Sequence, residues 1–206
     1  MTYSRYAAAL AVLGLGFAHA GSAHAQGLAT ATQRLQISAW GGATGTYTGL
    51  GSAKNAGITV GADVTLRPYF FGISPGIEVR GTYPFAKGQI DSQKNIVAGL
   101  KLSKEYFRVL HPYVNLLFGR GQINYLGIGQ PNPEGTFYYL QTPSNVISPG
   151  VGLDVTLTEH FSVKGDLQFQ RYSTPVTESG HLWSKPITAA VIYRFDFNHR
   201  PRRSRY

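Results

Sequence analysis

The stretch VGLDVTLTEHFSVKGDLQFQRY, residues 151–172, alternates apolar and polar side chains almost without error on either side of the break TEH. Val151, Leu153, Val155 and Leu157 interleave with Gly152, Asp154 and Thr156, and Val163, Leu167 and Phe169 with Lys164, Asp166, Gln168 and Gln170. A period of two sends successive side chains to opposite faces of an extended strand, so this segment is a β-hairpin with one apolar and one charged face. A soluble sheet buries the apolar face, whereas a barrel in lipid turns it outward and encloses the charges.

Eight runs of this kind occur: 33–44, 56–66, 73–83, 94–103, 112–124, 145–157, 161–172 and 186–197. Each is near the ~10 residues with which a tilted strand crosses a bilayer. No segment holds a helical period, which makes the class all-β. The connections after runs two, four and six are short (RPYFFG, KEYFRVLH, TEH), and those after runs one, three, five and seven are longer and rich in Gly, Pro, Asn and Ser. The longest is 125–144. Short and long connections in alternation predict an eight-stranded antiparallel up-and-down transmembrane β-barrel, with both ends of the chain on the short-turn side.

Following the alternation, one face collects residues such as Ile37, Val60, Val79, Leu100, Phe118, Leu153 and Val191. The other collects Asp63, Glu78, Arg80, Lys101, Asp154, Lys164, Asp166, Arg194 and Asp196 among Gly, Ser, Thr and Gln. Those nine are five acids and four bases. A wet surface does not require such balance, but a narrow lumen does, because an enclosed charge without a partner is costly. The nine residues are therefore expected to form a structural charge network that fills the lumen and leaves no open channel.

Aromatic residues bracket the apolar runs. Tyr69, Phe70, Phe71, Tyr106, Phe107 and Phe161 fall at the short turns, and Tyr47, Tyr83, Phe85, Tyr125, Tyr172 and Trp183 at the long-loop ends. Membrane interfaces select two such belts; in a soluble β-sandwich the same residues would cap the sheet ends.

The first residues carry Arg5, a small apolar run from Ala7 to Phe17, and Ala23-His24-Ala25. This reads as a secretory signal peptide, residues 1–25, with Ala20 as a second cleavage position and an apolar run too short to span a bilayer. The barrel then occupies 26–197 and a basic periplasmic tail 198–206. The chain has no Cys, which excludes disulfides and a cysteine-linked lipid anchor. Its formal charge is +9, but setting aside Arg5 and tail residues Arg200, Arg202, Arg203 and Arg205 leaves 14 of 19 basic residues against 10 acidic ones. The cationic feature is a tail, and no nucleic-acid partner is expected.

The signal peptide, the stretch GVGLDVTLTEHFSVKGDLQFQRY and the last strand ITAAVIYRFDF resemble the small outer-membrane barrels of Gram-negative bacteria, of the OmpA and OmpX kind. The resemblance covers essentially the whole mature chain. It implies a location in the cell outer membrane, contact with outer-membrane lipid and lipopolysaccharide, and handling by the barrel-assembly machinery during biogenesis. Members of that family end on an aromatic residue read by that machinery; Phe197 holds the place here, with NHRPRRSRY following. A monomer is expected.

Residues for catalysis are sparse. His111, His160, His181 and His199 include no close-spaced pair for a metal, and no cofactor is expected. His181 with Ser179 or Ser184 is the one arrangement that suggests a lipid-modifying hydrolase. Glycines in WGGATG and FGRGQ open no helix and so read as strand bends rather than phosphate cradles. The expected role is structural or surface-interaction, in adhesion or envelope integrity and not enzymatic, with a small-molecule transport barrel as the alternative and a lipid-modifying enzyme as a third reading.

Overall fold

The computed structural model describes residues 35–51, 53–66, 71–88, 90–107 and 109–195; the signal-peptide reading, Tyr69, Phe70, Asp196 and the basic tail lie outside the described residues. Eleven strand segments follow one another: β1 (Leu35–Tyr47), β2 (Lys54–Leu66), β3 (Ile73–Ala86), β4 (Asp91–Lys104), β5 (Leu110–Tyr125), β6 (Gln130–Pro131), β7 (Tyr138–Tyr139), β8 (Gln141–Thr156), β9 (Phe161–Gln168), β10 (Gln170–Ser173) and β11 (His181–Phe195). β6 and β7 pair only with each other inside one loop. The remaining segments form a closed antiparallel barrel of eight staves, in which each stave pairs with its sequence neighbours and β11 returns to β1.

β9 and β10 are one stave. Gly150 with Gln168 and Ile147 with Arg171 keep the same register, so no residue is inserted at the break. The cause lies next door: the registers bring Pro149 of β8 and Pro186 of β11 beside the break, and proline has no N–H for a ladder bond. The Phe169 N–H still donates to the Pro149 carbonyl at 2.8 Å.

The staves outrun the alternating runs at the long-loop end. β4 begins at Asp91 and β8 at Gln141, and β11 begins at His181. Beyond the apolar band both faces turn polar, as in Gln141-Thr142-Pro143-Ser144-Asn145, so pairing continues after the hydropathy signal ends. The first two connections expected to be long are therefore short, at residues 48–53 and 87–90; the loops of substance are 126–140 and 174–180.

Outward positions carry the apolar side chains. Ile77, Ile96, Leu100, Val114, Phe118, Ile187 and Val191 are all exposed. Two turns at the opposite end hold bulky residues in the left-handed region, Phe71 at φ 51° and Phe107 at φ 52°, a conformation that such residues adopt at a cost. Both rings project outward, 84% and 88% exposed.

Candidate functional site: the filled lumen

Inward positions of the short-turn half carry charge. The structure brings together Asp63, Glu78, Arg80, Lys101, Asp154, Lys164 and Asp166, every one buried. Lys101 Nζ lies 2.9 Å from Asp154 Oδ2 and 3.7 Å from Asp63 Oδ2, and Lys164 Nζ lies 3.4 Å from Asp154 Oδ1. Arg80 donates through Nη1 to Asp166 Oδ1 at 2.6 Å and through Nε to Glu78 Oε1 at 2.7 Å, with a second, very short contact from Nη2 to Glu78. Arg194 is half-buried beside a polar cavity of about 330 Å³ at the short-turn mouth, whose lining includes Ser38, Asp63, Glu105 and His111. No ion pair joins Arg194 to the described carboxylates.

Neutral residues complete this layer; Gln168 stands on the polar phase beside Asp166, whereas Trp40, Tyr113 and Asn115 carry no charge to mark them in the sequence. Tyr113 donates to Asp166 Oδ2 at 2.6 Å and accepts from Lys164 Nζ at 3.1 Å. Asn115 donates to Glu78 Oε2 at 3.3 Å, and Gln168 Nε2 bridges Asp166 Oδ2 at 2.9 Å and Asn115 Oδ1 at 3.1 Å. Trp40 is 4% exposed and takes Arg80 and Lys164 over its ring at 5.0 and 4.9 Å. The same alternation places these side chains inward, since Tyr113 and Asn115 flank outward Val114.

Above the ions a hydroxyl chain crosses four staves. Thr59 lies 2.9 Å from Thr82 and 2.6 Å from Thr44, which lies 2.9 Å from Thr188. On the staves opposite, β4, β5, β8, β10 and β11, the lumen is apolar and stays so toward the long loops: Val97, Leu117, Ile123, Tyr125, Val146, Tyr172 and Leu182 form one buried cluster, against which Leu50, Tyr139 and Val176 pack. This layer was not anticipated. In Leu116-Leu117-Phe118 three apolar residues in sequence hide the fact that the middle one points inward, with 0% exposure.

Two members of the expected upper belt belong to this layer instead. Tyr125 is 6% exposed and Tyr172 fully buried, because both keep the inward phase of their staves. Their hydroxyls are satisfied there: Tyr125 Oη is 2.9 Å from Thr174 Oγ1, and Tyr172 Oη accepts from Asn95 Nδ2 at 2.7 Å and donates to Gln170 Oε1 at 3.1 Å. Tyr47, Tyr83, Phe85 and Trp183 at that end are exposed, as are Phe71, Tyr106, Phe107 and Phe161 at the other.

The Ser–His arrangement does not assemble a nucleophile. With its proton on Nδ1, His181 donates to the Ser179 carbonyl at 2.7 Å, and Ser179 Oγ donates to the His181 carbonyl at 3.1 Å, so each side chain engages the other's backbone. Ser184 is buried and donates to the Tyr47 carbonyl at 3.3 Å. Among the described residues no group of three or more His, Cys, Asp or Glu could hold a metal ion.

No protein-family model matches this chain, and no curated protein matches its sequence significantly. Solved structures match its fold. Neisserial surface protein A superposes with a TM-score of 0.51 at 10% identity, over 78% of this chain and 97% of that one. The attachment invasion locus protein Ail of Yersinia pestis gives 0.49 at 11% identity, with the same coverage. A major outer membrane protein of Thermus thermophilus gives 0.46 at 13% identity, covering 78% and 99%. At such identities the likeness is one of architecture: the fold is that of the small outer-membrane barrels which the sequence resembles.

Proposed function

We propose that the chain is an outer-membrane barrel with a structural or surface-interaction role, whose lumen is closed by its own side chains. The filled lumen carries this reading. Two ion-pair groups bridged by Tyr113 lie toward the short-turn mouth, a threonine chain lines one side of the lumen, and an apolar cluster extends toward the long-loop mouth. A solute passing through would have to break buried ion pairs and then part an apolar cluster, whereas a porin lumen is wide and hydrated.

The outer wall supports the bilayer part of the reading. A soluble protein rarely exposes a large contiguous apolar surface, yet outward positions around the staves are Ile, Val, Leu and Phe, with exposed aromatics at both edges. Loop 126–140 supports surface interaction: it projects Ile128, Phe137, Tyr138 and Leu140 from the hairpin of β6 and β7.

Two measurements test the proposal. The unheated protein should migrate differently from the boiled protein on detergent gels and remain in washed outer membranes. In planar bilayers it should give no steady conductance. Reproducible conductance steps whose ion selectivity shifts in Lys164→Ala would overturn the closed lumen and favour transport. Recovery as a soluble periplasmic protein would overturn the membrane reading itself.

A further inference from the structure

On five of the eight staves the apolar outer wall ends, toward the long loops, at a cation. On β2 the outward series Val60, Ile58, Ala56 reaches Lys54, and on β4 Leu100, Ala98, Ile96 reaches Lys94. On β5 Leu116 and Phe118 lead to Arg120, on the β9–β10 stave Leu167 and Phe169 lead to Arg171, and on β11 Ala189 and Ile187 lead to Lys185. Every described carboxylate borne on a stave, Asp63, Glu78, Asp91, Asp154 and Asp166, is buried. The short-turn end is mixed, with Lys104 beside Glu105 and with Glu159 in the turn before β9. The wall is therefore electrostatically polarised, and the leaflet it matches on the long-loop side is anionic.

One place on this rim is a groove. Gly81 of β3 faces outward between Val60 and Ile96, its partners in the neighbouring staves, and a Cβ there would meet nothing closer than the Asn95 carbonyl at 3.7 Å. Gly81 floors a shallow open groove of about 510 Å³ walled by Val60, Tyr83 and Ile96 and edged by Lys94 and Arg120. The register sets Lys94 opposite Gln122 and Arg120 opposite Ile96, so the two cations are diagonal neighbours on adjacent staves. Neither makes an ion pair with a described residue.

We propose that this groove seats a phosphorylated glycolipid of the outer leaflet, with an acyl chain over Gly81 and a headgroup phosphate held by Lys94 and Arg120. The inference rests on the outer-membrane reading and adds the partner and its site. An apolar floor directly below two uncompensated cations matches an acyl chain below a phosphate. A guanidinium and an ammonium together supply the forked and single donors that phosphate oxygens accept. The occupant is a lipid because the groove lies on the wall that faces the bilayer, at the level where apolar side chains give way to charge.

The test uses the folded chain in phosphatidylcholine nanodiscs doped with diphosphorylated lipid A, with bound lipid A per barrel counted by native mass spectrometry across a titration. Lys94→Gln with Arg120→Gln should weaken retention about thirtyfold, the scale for two cations at an anionic membrane surface, while Lys104→Gln leaves it unchanged. Gly81→Leu, which fills the groove and spares both cations, should also reduce retention. Dephosphorylated lipid A should not be retained, and inorganic phosphate at matched concentration should not compete. Unchanged retention in the double variant, equal retention of the dephosphorylated lipid, or full competition by inorganic phosphate would overturn the site while leaving the barrel reading intact. Failure of the chain to enter nanodiscs at all would overturn the outer-membrane reading and this inference with it.

Discussion

Arg80 on β3 and Asp166 on β9 meet across the lumen, Nη1 to Oδ1 at 2.6 Å and Nη2 to Oδ2 at 3.1 Å, although three staves separate them in either direction around the wall. The pair is bidentate, and it links opposite walls in a way that no backbone ladder can. Arg80 also serves Glu78, so one guanidinium is shared between two carboxylates that are 0% and 4% exposed.

Arg80→Ala should consequently cost roughly 3–5 kcal/mol, since it removes the ion-pair partner of two buried carboxylates. The measurement is the unfolding free energy in urea with lipid vesicles. Combining Arg80→Met with Glu78→Gln and Asp166→Asn should recover most of the loss, because the neutral set leaves no charge unpaired. A single variant as stable as the parent would mean that these groups do not depend on one another.

Leu116 and Leu117 are adjacent and chemically identical, yet they face opposite sides of the wall: 44% exposed and 0% exposed. Leu117→Ala opens a cavity in the lumen cluster and should cost about 2–5 kcal/mol. Leu116→Ala should cost less, because bilayer chains can fill the space that it leaves. Equal effects, or the reverse order in the same unfolding assay, would show that the apolar layer above the ions is not packed.

How much of this was legible in the residues differs by level. The staves and their number followed from alternation, because a period of two survives wherever one face is apolar, as in residues 151–172. Stave ends were not legible: past Asn145 both faces are polar and the period has nothing to contrast. Asp63, Lys101, Asp154 and Lys164 stand in the lumen on the phase that the alternation gives them. For Tyr125 and Tyr172 residue type suggests a belt, but the phase of their staves places them inside. Contacts such as Arg80 to Asp166 were beyond reach, since they depend on barrel closure rather than on anything local.

Trp40 depends on a glycine. A Cβ on Gly61 would lie 2.6 Å from Trp40 Cε2, so the indole can lie against β2 only while position 61 has no side chain. Gly61→Ala should push the ring off its seat and away from Arg80 and Lys164, which lie over it, at a cost of roughly 1–3 kcal/mol. In a Trp183→Phe background Trp40 is the one remaining tryptophan. Its emission should then shift and its quenching by added acrylamide should rise in Gly61→Ala. An unaltered spectrum together with unaltered stability would contradict the close packing.

The two ends of the barrel should be chemically distinguishable from outside the cell, and the absence of Cys from the chain makes the experiment direct. Glu134 is exposed at the tip of loop 126–140, in a hairpin held by Asn132, whose side-chain oxygen accepts from Thr136 N–H at 2.8 Å and Phe137 N–H at 3.1 Å. Glu159 is exposed in the turn between β8 and β9, at the opposite end of the staves. Neither side chain is an ion-pair partner among the described residues, so replacing it perturbs little of the fold. A membrane-impermeant maleimide should label Glu134→Cys on intact cells and Glu159→Cys only after permeabilisation, because up-and-down barrels of this kind keep short turns on the periplasmic side. Labelling of Glu159→Cys on intact cells, with Glu134→Cys protected, would invert the topology, and would also move the rim of Lys94 and Arg120 to the inner leaflet. Labelling of both on intact cells would mean that the barrel does not stand across a sealed membrane.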